Sequence, residues 1–320
     1  MTTHSPFRPS FGVSPPLLAG RGGTIQAFAT SLDDPTGSSL SVSLVTGHSG
    51  VGKTVLLNKL EAISRARGRL VVAETATRGL PARITADRLH PPSSGRTIDV
   101  LITIDEVHGG DIDELRTVLT TCKAAARGGP RVDVVVAGLP PAATSLAGQR
   151  ALPLLRDAHR VELGMIDHDE AAVAIRVPVE RAGRTISDDA LAKAAAAARG
   201  YPFLIQLVGH LAWSRRPGST TITSADVTSA SVEAARLVGR MIHEPSLRRL
   251  APPELGFLEA MAADDHPSFL CDISARTGST PGDAEACALW LTEADLIEPA
   301  GQRRVAFALP YLRECLRDTR

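Results

Sequence analysis

Eight residues constrain this chain more than any others: Gly47-His48-Ser49-Gly50-Val51-Gly52-Lys53-Thr54, a match to G-x-x-x-x-G-K-[ST]. Such a loop has one working setting. A buried strand leads in and a helix leads out, so that backbone N–H groups and the positive helix end converge on a phosphate. The sequence supplies both. Leu40-Ser41-Val42-Ser43-Leu44-Val45 alternates apolar and polar before its last two residues, and Thr54–Ala66 reads as a helix. In that setting Lys53 reaches the β- and γ-phosphates and the Thr54 hydroxyl ligates Mg²⁺. All eight positions are nucleotide-binding candidates, with Mg²⁺ as the expected partner of the phosphates.

A second motif answers the first. "LITIDE" is four strand residues followed by Asp105-Glu106. An acidic residue ending a buried strand beside a phosphate loop holds Mg²⁺ or its water. The next carboxylate polarises the attacking water. Thr54 and Asp105 are therefore the metal candidates, and Lys53 and Glu106 the catalytic ones. Glu106 moves the reading from binding towards hydrolysis.

The remaining apolar runs place these motifs on one sheet. "RLVVAET" from Arg69 and "RVDVVVAG" from Arg131 read as further strands, and "DIDELRTVLTTCKAAARGG" as a helix ended by Gly128-Gly129. Strands alternating with helices predict a parallel sheet covered on both faces. After about residue 164 the pattern turns helical, with Asp167 and Glu170 as a capping pair, Ser187 as a cap closed by Gly200, and Pro202 in a first turn. From about residue 245, "SFLCDISARTG" and "TPGDAEACALWLTEADLIEP" read as helix-turn-helix and "GQRRVAFALP" as a wing. The expected organisation is a flexible arm (1–14), an α/β domain (15–163), a helical lid (164–243) and a winged-helix-like domain (244–320).

Taken together, these segments resemble the AAA+ ATPases of the origin-recognition and STAND-like branch, in particular the bacterial "ATP-binding protein" type common in actinobacteria. "PPLLAGRGGTIQAF" is similar to the family's N-terminal box, "LVTGHSGVGKTVLLNKL" to Walker A, "LITIDEVH" to Walker B, "VVVAGLP" to the sensor 1 strand and "ARGYPFLIQLVGHLAW" to the lid segment with its G-x-P motif. The resemblance implies that Gly20 and Arg21 lie near the adenine and that Pro202 contacts nucleotide. It implies a fold of P-loop α/β sheet, helical lid and C-terminal winged helix. The chain departs from the family twice. Ala137-Gly138-Leu139-Pro140 offers no polar sensor 1 side chain, and no Lys or Arg follows Gly200 before Arg215. Both departures point to a slow, switch-like ATPase. Arg150, Arg156 and Arg160 are the candidates for an arginine finger, with surface residues as the competing reading.

Charge bears on the partner. The chain as a whole has zero formal net charge. From Glu244 onward there are eight Arg, no Lys and thirteen Asp or Glu, a net of −5. The second helix of the helix-turn-helix has four acids and no base, whereas phosphate contacts need Lys or Arg. Only Arg303 and Arg304, at the wing, offer a basic handle. The module is therefore expected to contact a protein or to autoinhibit. A DNA-associated loader or transposition-helper-like ATPase, acting as an oligomer on duplex, is the alternative, and a nucleotide-binding scaffold that barely hydrolyses is a third.

The four cysteines form no C-x-x-C pair and are expected to be buried free thiols; the nine histidines form no metal-spaced pair. The first residues lack the pattern of a signal peptide, and no apolar run approaches the roughly 18–20 residues that span a bilayer. A cytoplasmic location is expected.

Overall fold

The computed structural model describes residues 4–34, 38–89, 98–148 and 152–318. The chain divides into two compact units. One comprises Phe11–Ser14 and Leu18–Gly164, the other Met1–Ser10, Pro15–Leu17 and Met165–Arg320.

The first unit opens with α1 (Gly22–Leu32), β1 (Leu40–Thr46), α2 (Lys53–Ala66) and β2 (Leu70–Thr75). Two one-turn helices follow, α3 (Leu80–Arg83) and α4 (Ala86–Leu89), then β3 (Val100–Asp105), α5 (Ile112–Arg127) and β4 (Val132–Gly138). The unit ends with α6 (Pro140–Gly148), α7 (Pro153–Arg156) and β5 (His159–Glu162). The five strands form one parallel sheet in the order β2-β3-β4-β1-β5. Every residue of β4 is buried, as a central parallel strand covered on both faces must be. The register pairs Thr46 with Gly138 and Ile104 with Val136, so the ends of β1, β4 and β3 form one edge. β5, a short strand with two charged and exposed residues, was not legible in the sequence.

The second unit contains α8 (His168–Arg181), β6 (Thr185–Ile186), α9 (Asp188–Ala198), α10 (Pro202–Arg215), β7 (Thr221–Ile222) and α11 (Ser224–Val238). The strands do not stop at residue 164: β6 and β7 pair in parallel over two residues. Asp167 caps α8 by accepting from the Asp169 N–H, and Ser187 caps α9 by accepting from Ala190. α9 ends on two left-handed residues, Arg199 and the expected Gly200, where a Cβ would lie 2.3 Å from the Ile166 carbonyl oxygen. α11 runs through a π-turn, Gly239–His243, into α12 (Glu244–Leu247).

α13 (Pro252–Ala262), β8 (Ser268–Phe269), α14 (Leu270–Thr277), α15 (Pro281–Glu293), β9 (Ile297–Pro299), β10 (Arg304–Phe307) and α16 (Leu312–Asp318) complete the chain. A three-stranded sheet, β8-β10-β9, supports the helix-turn-helix in a winged-helix order of elements. This module is not separate from the helices before it. The Tyr311 hydroxyl donates to the Ala197 carbonyl at 2.8 Å, and Arg199 stacks on the Tyr311 ring and pairs with Glu314.

Within the segment read as a flexible arm, Phe7 and Arg8 are held in place. Phe7 is buried against Gly209 of α10, and the Arg8 N–H donates to Gln206. The cysteine expectation also needs correction: Cys122 is buried, which pushes its thiol up to about 12, but Cys271 is exposed and Cys287 and Cys315 are half-buried. Among the described residues no helix is long and apolar enough to cross a membrane.

Candidate functional site

The glycine loop joins β1 to α2 in the first unit. Gly47 is required by its surroundings: a Cβ there would lie 2.5 Å from the Leu163 carbonyl oxygen and 2.7 Å from Cγ2 of Val51. Gly52, with a positive φ, caps α2 without any side-chain hydrogen bond. The first-turn N–H groups of a helix have no intrahelical acceptor, which makes such a terminus an anion cradle. Lys53 is buried, and its ammonium donates to the carbonyls of Gly47 at 2.7 Å and His48 at 2.9 Å. His48, Ser49, Gly50 and Val51 form the loop itself, with Val51 buried and Ser49 exposed.

Because β4 lies between β1 and β3, the end of β3 faces the start of α2. Thr54 Oγ1 donates to Asp105 Oδ2 at 2.5 Å. The other Asp105 oxygen accepts from the Glu106 N–H at 2.8 Å. Glu106 itself has φ 56 and ψ 41, a left-handed conformation unusual for a residue with a side chain, and starts a single 3₁₀ turn, Val107–Gly109. Its side chain is exposed. One hydroxyl and one carboxylate suit a magnesium ion that arrives with phosphate oxygens, because Mg²⁺ keeps several waters and needs few protein ligands. The described residues contain no group of three or more His, Cys, Asp or Glu side chains placed to hold a metal by themselves.

Three features of the site were not read from the sequence. Thr103 donates to Glu61 at 2.7 Å, and both side chains are buried, so α2 and β3 are bolted together behind Thr54 and Asp105. The signal was present: a threonine within an apolar strand, and a glutamate on the buried face of α2. Asn58 donates to the Gly12 carbonyl, which lays the Phe11–Ser14 segment beside the start of α2. At the end of β4, a Cβ on Gly138 would meet Cγ2 of Val107 at 2.7 Å. Packing by Val107 thus occupies the space that a polar side chain on this strand end would need.

The other sequence candidates are placed as follows. Gly20 and Arg21 precede α1. Arg21 is buried and braces the loop, donating to the Gly164 carbonyl at 2.6 Å and to that of Val51 at 3.2 Å. Pro202 belongs to the second unit, at the first turn of α10 after the buried Tyr201. Arg156 pairs with its neighbour Asp157 at 3.2 Å, and Arg160 is exposed on β5. Arg150 lies outside the described residues.

The fold has counterparts among solved structures. The chain is similar to a Walker-type ATPase of Pyrococcus abyssi, with 14% identity and a TM-score of 0.68 over 94% of this chain and 96% of that one. It is similar to Cdc6p from Pyrobaculum aerophilum, with 15% identity and a TM-score of 0.56 over 97% of each chain. A third likeness is to the RuvB Holliday junction branch migration motor of Thermotoga maritima, at 15% identity and a TM-score of 0.54 over 93% and 95%. This chain has the fold of the Walker-type ATPases. Residues 240–316 match a family described as a domain of unknown function, DUF8462. No curated protein matches the sequence.

Proposed function

We propose that this protein is a Mg-ATP-binding, slowly hydrolysing ATPase of the AAA+ type that works as a switch for a protein partner. The observation that carries the reading is the 2.5 Å contact between Thr54 and Asp105, beside Lys53, at the head of α2. Bound there, Mg²⁺ would screen the phosphate charge and polarise the terminal phosphoryl group. The loop and Lys53 hold the phosphates, Thr54 and Asp105 hold the metal, and Glu106 orients the attacking water. Arg21 keeps the loop in shape. The absence of a polar group at Gly138 supports slow turnover, since fewer dipoles meet the charge that develops in the transition state.

The protein-directed half of the proposal draws on the winged module. Arg303 pairs with Glu285, and Arg304 stacks 4.0 Å from the Phe269 ring centroid. The two basic groups at the wing are therefore engaged locally, and α15 itself has no base to offer a phosphate backbone. This favours a protein partner over duplex DNA. Phosphate release by the full chain with Mg-ATP, beside Lys53→Ala and Glu106→Gln, tests the enzymatic half. Absence of Mg-ATP binding by the wild-type chain would end the reading.

A further inference from the structure

The contact between α2 and β3 has two polar rungs. The first joins Thr54 to Asp105. The second joins the Thr103 hydroxyl to Glu61 Oε1 at 2.7 Å, with Thr103 2% and Glu61 7% exposed. Periodicity aligns the two. Thr103 and Asp105 alternate with Ile104 along β3 and so share a face. Val100, Ile102 and Ile104 point the other way and pack in one apolar cluster with Leu115, Val118 and Leu119 of α5. Thr54 and Glu61 lie about two helical turns apart on α2 and share a face as well. The buried Leu56, Leu57 and Leu60 give α2 its apolar contact. Apolar contact has no direction, whereas a hydrogen bond does. The second rung is also costly. Burying a carboxylate is expensive, and apolar side chains of the same size at 61 and 103 would avoid that cost. Yet the carboxylate is held at both oxygens, Oε1 by Thr103 and Oε2 by Arg65, one turn further along α2, at 3.0 Å.

We infer that Glu61 and Thr103 are positioning residues of the magnesium site: their hydrogen bond sets the rotation and depth of α2 against β3, and with them the place of the Thr54 hydroxyl relative to the Asp105 carboxylate. The inference rests on the ATPase reading proposed above. Thr54 and Asp105 stand on different elements, so their alignment is only as good as the packing behind them. Without the second rung, α2 can turn slightly while its leucines stay buried. Mg²⁺ demands near-ideal octahedral geometry, so a small turn weakens its binding. The glycine loop and Lys53 are more tolerant, because a lysine acts as a point charge on a flexible stem. Loss of the rung therefore acts on the metal before it acts on the phosphates.

The test is calorimetric binding of a non-hydrolysable ATP analogue to the full chain, across a magnesium titration and in EDTA. Thr103→Val removes the donor. It should raise the magnesium concentration needed for tight binding about tenfold or more, and leave the affinity in EDTA unchanged. Thr103→Ser keeps the hydroxyl and should restore the wild-type requirement. Thr103→Val also strands a buried carboxylate and so lowers stability. The double variant Glu61→Met with Thr103→Val removes both partners and controls for this. It should resist denaturant at least as well as the wild type, yet still need the additional magnesium. A wild-type magnesium requirement in Thr103→Val or in the double variant overturns the inference and leaves the ATPase reading standing. So does a double variant whose binding falls equally in EDTA and in magnesium, which would make the rung a general support of the loop. A wild type that binds the analogue no better with magnesium than without it overturns the inference and the metal assignment together.

Discussion

The Thr54 hydroxyl and the Asp105 carboxylate meet at 2.5 Å, tying the first turn of α2 to the end of β3. If this pair holds magnesium, Asp105→Asn and Thr54→Ala should each lower the hydrolysis rate by about a hundredfold or more. Thr54→Ser, which keeps the oxygen, should retain most of it. Phosphate release measured across a magnesium titration separates the variants, and equal magnesium dependence in all of them would refute the assignment.

Glu106 combines a chemical role with a backbone cost. Its left-handed φ of 56 costs a residue with a Cβ about 1–2 kcal/mol. Glu106→Gly should therefore raise the unfolding free energy by about 1 kcal/mol while removing hydrolysis. Chemical denaturation beside the rate assay reads both. Lower stability with activity intact would contradict the account on both counts.

The end of β4 admits a direct test of packing. Gly138→Asn would place a polar group at the strand end, but its Cβ would collide with Val107. The substitution should cost about 1–3 kcal/mol. In the Val107→Ala background the cost should shrink, because the collision is relieved. A double-mutant cycle with no coupling between the two sites would show that Val107 is not the obstacle.

His243 gives the second unit a pH dependence. The ring is buried, its Nε2 bonds the Pro310 carbonyl at 2.9 Å, and Nδ1 has no partner. Burial pushes its pKa below the ordinary 6.5, although the carbonyl and Glu314 on α16 pull the other way. Arg199 pairs with Glu314 and weakens that pull. The unfolded chain thus binds a proton at a higher pH than the folded one. The contribution to stability is complete above about pH 6.5 and is lost as pH falls from there towards the folded value. Melting temperatures through this window should decline for the wild type and decline less for His243→Gln. Parallel profiles would remove His243 as the cause.

Much of the first unit was legible because its residues answer to local rules. The loop, the apolar β3 run ending in Asp105-Glu106, and the end of α5 at Gly128 each follow from spacing and side-chain chemistry. The features that escaped depend on partners distant in sequence. Thr103 needs Glu61, Arg21 needs Gly164, and Gly138 needs Val107. β5, β8 and β9 are four residues or fewer and lack a periodicity to read. Phe7 looked like part of a loose polar arm because nothing nearby in sequence shows that Gly209 leaves room for its ring.

The central claim is that Glu106 turns a nucleotide site into a hydrolytic one. The most direct measurement pairs Mg-ATP affinity with single-turnover phosphate release for the wild-type chain and Glu106→Gln. The account predicts similar affinity in the two proteins and a rate about a hundredfold or more lower in the variant. An unchanged rate in Glu106→Gln would contradict it.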